Sequence, residues 1–305
     1  MSAAAIELVE VVKRFSSGVI AVDKVTLAVR PGECFGLIGP NGAGKTTTFS
    51  MLCGFLHPTA GRLRVLDADP SRPGALKRRV GVLPQDAALP PWARVGELLV
   101  YWARLSALER PEHEARTALE KVDLASAWST RAAALSHGMA KRIAMAQALL
   151  GDPPVVLLDE PTAGLDPKIA AQVRELIRQM KARQTVVVSS HNLHELEELC
   201  DSAAILDRGK LVQAGTMAEL TRRTGEFRVQ IARGTVPTFE VERIAGVKAA
   251  RYEPAASALL VTFDGEGHPP EEIVTATLEV LIRHGVRVLG VSIGRKLEER
   301  VLQLT

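Results

Sequence analysis

Three glycines, a lysine and two threonines stand together in Gly39-Pro40-Asn41-Gly42-Ala43-Gly44-Lys45-Thr46-Thr47. The spacing G-x-x-x-x-G-K-T suits phosphate: glycines let successive backbone N–H groups curl around an anion, and Lys45 adds a charge that can reach β- and γ-phosphates. The Thr46 hydroxyl can ligate Mg²⁺. Cys34-Phe35-Gly36-Leu37-Ile38 reads as a short buried strand before this cradle, and Thr47 onward as a helix whose positive end faces the same phosphates.

Further groups lie at element ends, where parallel sheets place chemistry. Val155 to Leu158 is an unbroken apolar run, the pattern of a strand buried on both faces, and it ends in Asp159-Glu160. Asp159 can hold Mg²⁺ directly or through water, and Glu160 can accept a proton from an attacking water. Val80 to Leu83 is another short strand, followed by Gln85, which can meet a metal-bound or nucleophilic water without adding charge. Ser136 is placed to cap the helix that follows it, a second anion-favouring helix start. His191 follows the apolar strand Thr185 to Ser189, where it can hydrogen-bond a γ-phosphate and register its loss. Phe15, in a loop with Ser16, Ser17 and Gly18, offers a flat face for a purine ring.

These groups require an α/β scaffold. Ile6–Val12 and Val22–Val29 alternate as an antiparallel pair ahead of the cradle, Pro58 to Gly61 reads as a turn, and Arg62 to Leu66 as a strand. From Val95 to Leu149 the strand signal gives way to helical periodicity, with Val95, Leu98, Leu99 and Trp102 on one stripe. Ala163-Gly164-Leu165-Asp166-Pro167 opens a helix running to about Arg183, and the acids Glu195, Glu197 and Glu198 read as a solvated helix face.

The 305 residues suffice for two domains, and 47% hydrophobic with 24% charged residues is an ordinary globular balance. A net charge of +3 is too small to argue for nucleic acid. Cys34, Cys53 and Cys200 lack metal-ligand spacing and read as buried, reduced thiols of a reducing compartment. His191 and His194 have no third ligand for zinc, and no apolar run approaches the roughly 20 residues of a membrane helix. The expectation is a cytosolic protein.

In this order the motifs resemble the ATP-binding subunit of ATP-binding cassette (ABC) transporters, over Ile6 to about Leu220. The resemblance assigns Phe15 to the adenine ring and Gly39 to Thr47 to the Walker A loop. It makes Gln85 the Q-loop residue, Leu135 to Met139 the signature, Val155 to Glu160 the Walker B strand with its catalytic glutamate, Ala163 to Asp166 the D-loop and His191 the switch histidine. The usual signature is Leu-Ser-Gly-Gly-Gln; here His137 and Met139 depart from it, while Ser136 and Gly138 are retained. The methionine variant is similar to ATPases serving ABC-2 exporters of the drug-resistance type. The resemblance implies an α/β P-loop domain over residues 1–220, with a helical subdomain at about 86–150 and an N-terminal antiparallel β subdomain. It implies hydrolysis of ATP with Mg²⁺, a head-to-tail dimer with a second copy, and a separate permease seating the protein on the inner face of the cell membrane. The segment Leu89-Pro90-Pro91-Trp92 supplies apolar groups for that permease. Two other readings remain: a soluble clamp on ribosomes or DNA, and a silent ATP-gated binding module.

Beyond Leu220 the order strand, helix, strand, strand, helix, strand predicts a ferredoxin-like accessory domain over 221–305. Its strands are read around Phe227 to Ile231, Val247 to Tyr252, Ala258 to Phe263 and Val286 to Ser292, and its helices over Phe239 to Ile244 and from Pro270 to Gly285. A last helix is read from Lys296 to Leu304, and the ending Leu297 to Thr305 resembles the tail of drug-exporter ATPases, where this region is associated with assembly; the domain is expected to serve dimerisation or partner docking, with a regulatory small-effector site as the alternative.

Overall fold

Alternating apolar residues build the first layer. In a computed structural model describing residues 4–72, 74–181, 183–221, 226–232, 235–264 and 268–293, strand β1 (Ile6–Arg14) pairs antiparallel with β2 (Ile20–Val29), setting Ile6 opposite Val29 and Leu8 opposite Leu27. Strand β3 (Cys34–Ile38) is buried at every position and leads through the cradle into α1 (Lys45–Leu52). Strand β4 (Ala60–Val65) then closes a three-stranded sheet in the order β2-β1-β4. It starts earlier than the sequence suggests, because Ala60 and Gly61 belong to the strand and not to a turn. Gly61 has φ +84°, and a Cβ there would lie 2.2 Å from the Glu10 carbonyl oxygen, so the close strand approach hides the strand signal behind a residue that looks like a turn former.

Strand β5 (Val80–Leu83) is followed by the helical insertion: α2 (Val95–Leu105), α3 (Pro111–Lys121), two short 3₁₀ turns, and α4 (His137–Ala148). The apolar stripe of α2 buries Val95, Leu98 and Leu99. The main sheet resumes with β6 (Val155–Asp159), α5 (Pro167–Lys181), β7 (Thr185–Ser189), α6 (Leu193–Leu199), β8 (Ser202–Asp207) and β9 (Lys210–Thr216). Its order is β5-β6-β7-β3-β8-β9; all neighbours are parallel except β9, which runs antiparallel to β8. β6 and β7 are buried throughout, as strands covered on both faces must be. The carboxyl ends of β3, β5, β6 and β7 therefore lie along one edge of this sheet, which is what brings the chemistry-bearing residues together.

Cys34 and Cys200 are buried free thiols with their sulfurs 3.7 Å apart, and Cys53 is a free thiol at the end of α1, half-buried.

A short helix α7 (Met217–Thr221) follows β9, and the chain divides into two compact units at Met217–Ala218. The second unit contains β10 (Glu226–Ile231), α8 (Thr238–Glu242), β11 (Val247–Glu253), β12 (Ala258–Phe263), α9 (Pro270–Arg283) and β13 (Val288–Ile293). Its sheet is antiparallel, in the order β11-β12-β10-β13. Phe227, Val229, Ile231, Val261 and Phe263 pack with Ile273 and Leu281 of α9, and the two phenylalanine rings sit 5.8 Å apart. Pro270, Glu271 and Glu272 occupy the first turn of α9, where a missing N–H costs nothing and negative charge meets the positive helix end. The helix read from Lys296 to Leu304 lies outside the described residues.

Candidate functional site

The cradle is held open by backbone geometry. Gly44 precedes α1 with φ +100°, and a Cβ there would lie 2.4 Å from the Ala21 carbonyl oxygen, so both the conformation and the close approach require glycine. No side chain caps α1, which leaves its first turn suited to accept an anion. Lys45 folds over the loop and donates from Nζ to the Gly39 carbonyl at 2.6 Å and the Pro40 carbonyl at 3.1 Å. Burial lowers the pKa of its ammonium, while the negative charges of Glu160 and then Asp159 oppose that shift. Asn41, Gly42 and Thr46 are exposed, Ala43 is buried beneath them, and Thr47 is half-buried.

Two strands away in the sheet, β6 ends in Asp159, which is buried and receives a short hydrogen bond from the Ser189 hydroxyl at the matching end of β7. The next residue leaves the strand direction: Glu160 has φ +49°, a conformation uncommon for a side chain of this kind, and its N–H donates to the Ser189 carbonyl at 3.0 Å. This bend carries the Glu160 carboxylate to His191, whose Nδ1 is 2.8 Å from Glu160 Oε2. The carboxyl side chain is 10% exposed and the imidazole 72% exposed, so a sheltered base is joined to a group that faces solvent. Such a pair can take a proton from water at the carboxylate and meet a phosphate at the exposed imidazole.

Sequence reasoning missed Glu195. It is no part of a solvated face: it is 1% exposed, and its Oε2 accepts from the Thr162 hydroxyl at 2.6 Å and the Ser190 hydroxyl at 3.1 Å. It thereby ties the turn after Glu160 to the turn before His191. Asn192, which caps α6 by accepting from the Glu195 N–H at 3.2 Å, is the sequence signal that places Glu195 in a first helical turn facing inward.

The helical insertion supplies the rest. Ser136 caps α4 and accepts from the Met139 N–H at 3.2 Å. Gly138 packs on the first turn of α5, where a Cβ would meet Ile169 Cγ2 at 3.2 Å. Asp166 caps that same turn, accepting from the N–H groups of Lys168 at 3.1 Å and Ile169 at 3.0 Å. His137, exposed, lies beside Gly164: a Cβ on that glycine would be 3.2 Å from His137 Nε2. Gln85 is exposed just past β5, and its carbonyl accepts from Lys141 Nζ at 3.2 Å. Phe15 is 38% exposed with Lys13 Nζ 5.5 Å from the ring centroid. Lys45, Asp159, Glu160 and His191 are thus gathered in one place, whereas the hydrogen bonds of Ser136 and Asp166 are to their own helices.

Among the described residues no group of three or more His, Cys, Asp or Glu could hold a metal. Mg²⁺ takes one or two protein oxygens and completes its shell with phosphate and water, and the Asp159 carboxylate and Thr46 hydroxyl have oxygens of the kind it takes. Among the described residues no helix is long and apolar enough to cross a membrane.

Residues 22–163 match the family model of the ABC transporter. The Nod factor export ATP-binding protein I of Burkholderia pseudomallei (strain 1710b) is 41% identical over 221 residues, covering 70% of this chain and 72% of that protein. The linearmycin resistance ATP-binding protein LnrL of Bacillus subtilis (strain 168) is 30% identical over 292 residues, covering 93% of each. A solved ATP-binding subunit of an ABC transporter superposes with a TM-score of 0.65 at 29% identity, covering 72% of this chain and 92% of that one. With the cradle, the paired acids and the histidine assembled on this sheet, the chain belongs to the ABC transporter family, as an ATP-binding, ATP-hydrolysing subunit.

Proposed function

We propose that two copies of this chain close head to tail around two ATP molecules. Each ATP is held by one copy's Gly39, Pro40, Asn41, Gly42, Ala43, Gly44, Lys45, Thr46 and Thr47 and faced by the other copy's Ser136 and Gly138. Phe15 stacks on the adenine, and Lys45 leaves the Gly39 and Pro40 carbonyls for the β- and γ-phosphates, exchanging neutral acceptors for charged ones. Mg²⁺ bound by Thr46 and Asp159, with Gln85 at its water shell, would neutralise charge on the phosphate oxygens. Glu160 takes a proton from the attacking water, His191 and Gln85 respond to the γ-phosphate, and Asp166 stands at the dimer face.

The observation that carries this reading is the 2.8 Å bond between Glu160 and His191. A base that is sheltered, bent out of its strand and tied to an exposed histidine supports hydrolysis over a silent binding module. With ATP and Mg²⁺, Glu160→Gln is expected to shift to the mass of a dimer in size-exclusion light scattering while the wild type returns to the monomer as ATP is consumed. A variant that binds ATP and stays monomeric would remove the head-to-tail arrangement.

Hydrolysis in this scheme moves a separate ABC-2-type permease, which seats the protein at the inner face of the cell membrane. Trp92, 77% exposed in the segment after Gln85, supports that segment as the permease contact. The relatives named for Nod factor export and linearmycin resistance support export of a small molecule. The strand order and antiparallel pairing of the second unit support a ferredoxin-like accessory domain, and we assign it to subunit assembly.

A further inference from the structure

We propose that Lys141 is a positioning residue for ATP hydrolysis: from α4 its ammonium holds the main chain of Gln85, so one tie sets both the glutamine after β5 and Ser136 at the start of α4. It rests on the reading of Gln85 as a group that meets the γ-phosphate and its water.

Lys141 is only 8% exposed, although lysine is seldom buried without a carboxylate partner. Among the described residues no carboxylate lies within ion-pair distance of it, and its Nζ donates to the Gln85 carbonyl at 3.2 Å. The attraction it feels is longer-ranged: Asp159, Glu160 and Asp86 favour its charge, against a larger effect of burial that lowers its pKa. A buried cation of this kind is costly, and the acids at the end of β6 offset that cost only while α4 stays in place beside them. The far end of α4 is fixed independently. Gly81 of β5 lies so close to it that a Cβ would be 1.8 Å from the Ala148 carbonyl oxygen. Between these two points α4 is pinned along β5, at one end by backbone approach and at the other by the lysine. The first contact is rigid. The second can be released, because Gln85 is exposed and water can replace the ammonium at its carbonyl. Lys141 is therefore the point at which a movement of the Gln85 turn is passed to Ser136 or kept from it.

Lys141→Met keeps the volume of the stem and removes the donor. Loss of one charge-assisted hydrogen bond is expected to lower kcat about tenfold or more, with the KM for ATP within about twofold and thermal unfolding unmoved. Gln85→Ala removes the side chain and leaves the carbonyl that Lys141 holds. If the lysine acts by placing that side chain, the double variant Lys141→Met/Gln85→Ala turns over as slowly as Gln85→Ala alone and no slower. A slow Gln85→Ala beside a Lys141→Met of wild-type kcat, or a double variant slowed by the product of the two single effects, overturns the role of Lys141 alone. A Gln85→Ala variant of wild-type rate overturns the reading of Gln85, and the proposal with it.

Discussion

The two units bury polar groups in opposite ways. In the first, Glu33, Gln184, Thr185 and Ser202 are buried at the amino ends of the strands and Thr48 in α1, while a larger group, Asp159, Glu160, Ser189, Ser190, Glu195 and Lys141, is buried at or beside the carboxyl ends of β5, β6 and β7. In the second, Glu226 and Thr277 are the buried polar residues among those described, and Thr277 spends its hydroxyl on the Ile273 carbonyl of its own helix at 2.8 Å. Buried polarity is costly unless paired, so a cluster of it at one edge of a sheet marks where structure is subordinated to chemistry. A nearly apolar interior marks where packing is the whole task.

The strongest way to break this contrast is to remove function from one unit and stability from the other. Glu160→Gln is expected to slow phosphate release about a thousandfold while leaving ATP binding in place; a rate near wild type would move the chemistry away from the end of β6. Phe227→Ala empties the middle of the second core and is expected to cost that unit about 3 kcal/mol. In denaturant, its unfolding should shift to lower concentration with the transition of the first unit unmoved, and a joint shift of both would show that the units are not independent. Ser136→Ala removes the cap of α4, a loss of about 1 kcal/mol, and should lower hydrolysis by more than that loss of stability explains. Equal losses in melting and in rate would make the serine a cap only.

The smallest effect sharpens the contrast without altering either unit. All three cysteines lie in the first unit. The Cys53 thiol is pushed up to about 12, first by burial and then by the negative charge of Asp159. The thiol form therefore persists through pH 9, where an ordinary cysteine is largely thiolate and reactive. Iodoacetamide at pH 9 should leave Cys53 unmodified in the folded protein and label it once the first unit opens. Phe227→Ala should not speed this labelling.

Much of the site could be read from the sequence because its parts are local. The cradle is contiguous, and Asp159-Glu160 directly ends an apolar run, so short-range rules suffice. What escaped depends on strand register and packing. Nothing in the spacing of Glu160 and His191 announces a hydrogen bond; it follows from the pairing of Asp159 with Ser189 and the bend at Glu160. Glu195 reads as solvated because acids crowd around it, whereas one of its partners, Thr162, is remote in sequence. Lys141 sits in an alanine-rich helix where a lysine ordinarily points to water, and its partner, the Gln85 carbonyl, is remote in sequence. Among the folded elements, the start of β4 is masked in the sequence because Gly61, which reads as a turn residue, serves a close strand contact.

The strand order has a consequence in time. β3, which carries the cradle, leaves the ribosome well before both its neighbours in the sheet, because β7 and β8 begin only at Thr185 and Ser202. During synthesis the nucleotide loop is thus exposed on an incomplete sheet until most of the first unit has been made, and its apolar strand Cys34–Ile38 waits unpaired. Nascent chains stalled before Thr185 should fail to retain ATP, while chains stalled well past Thr216 should hold it.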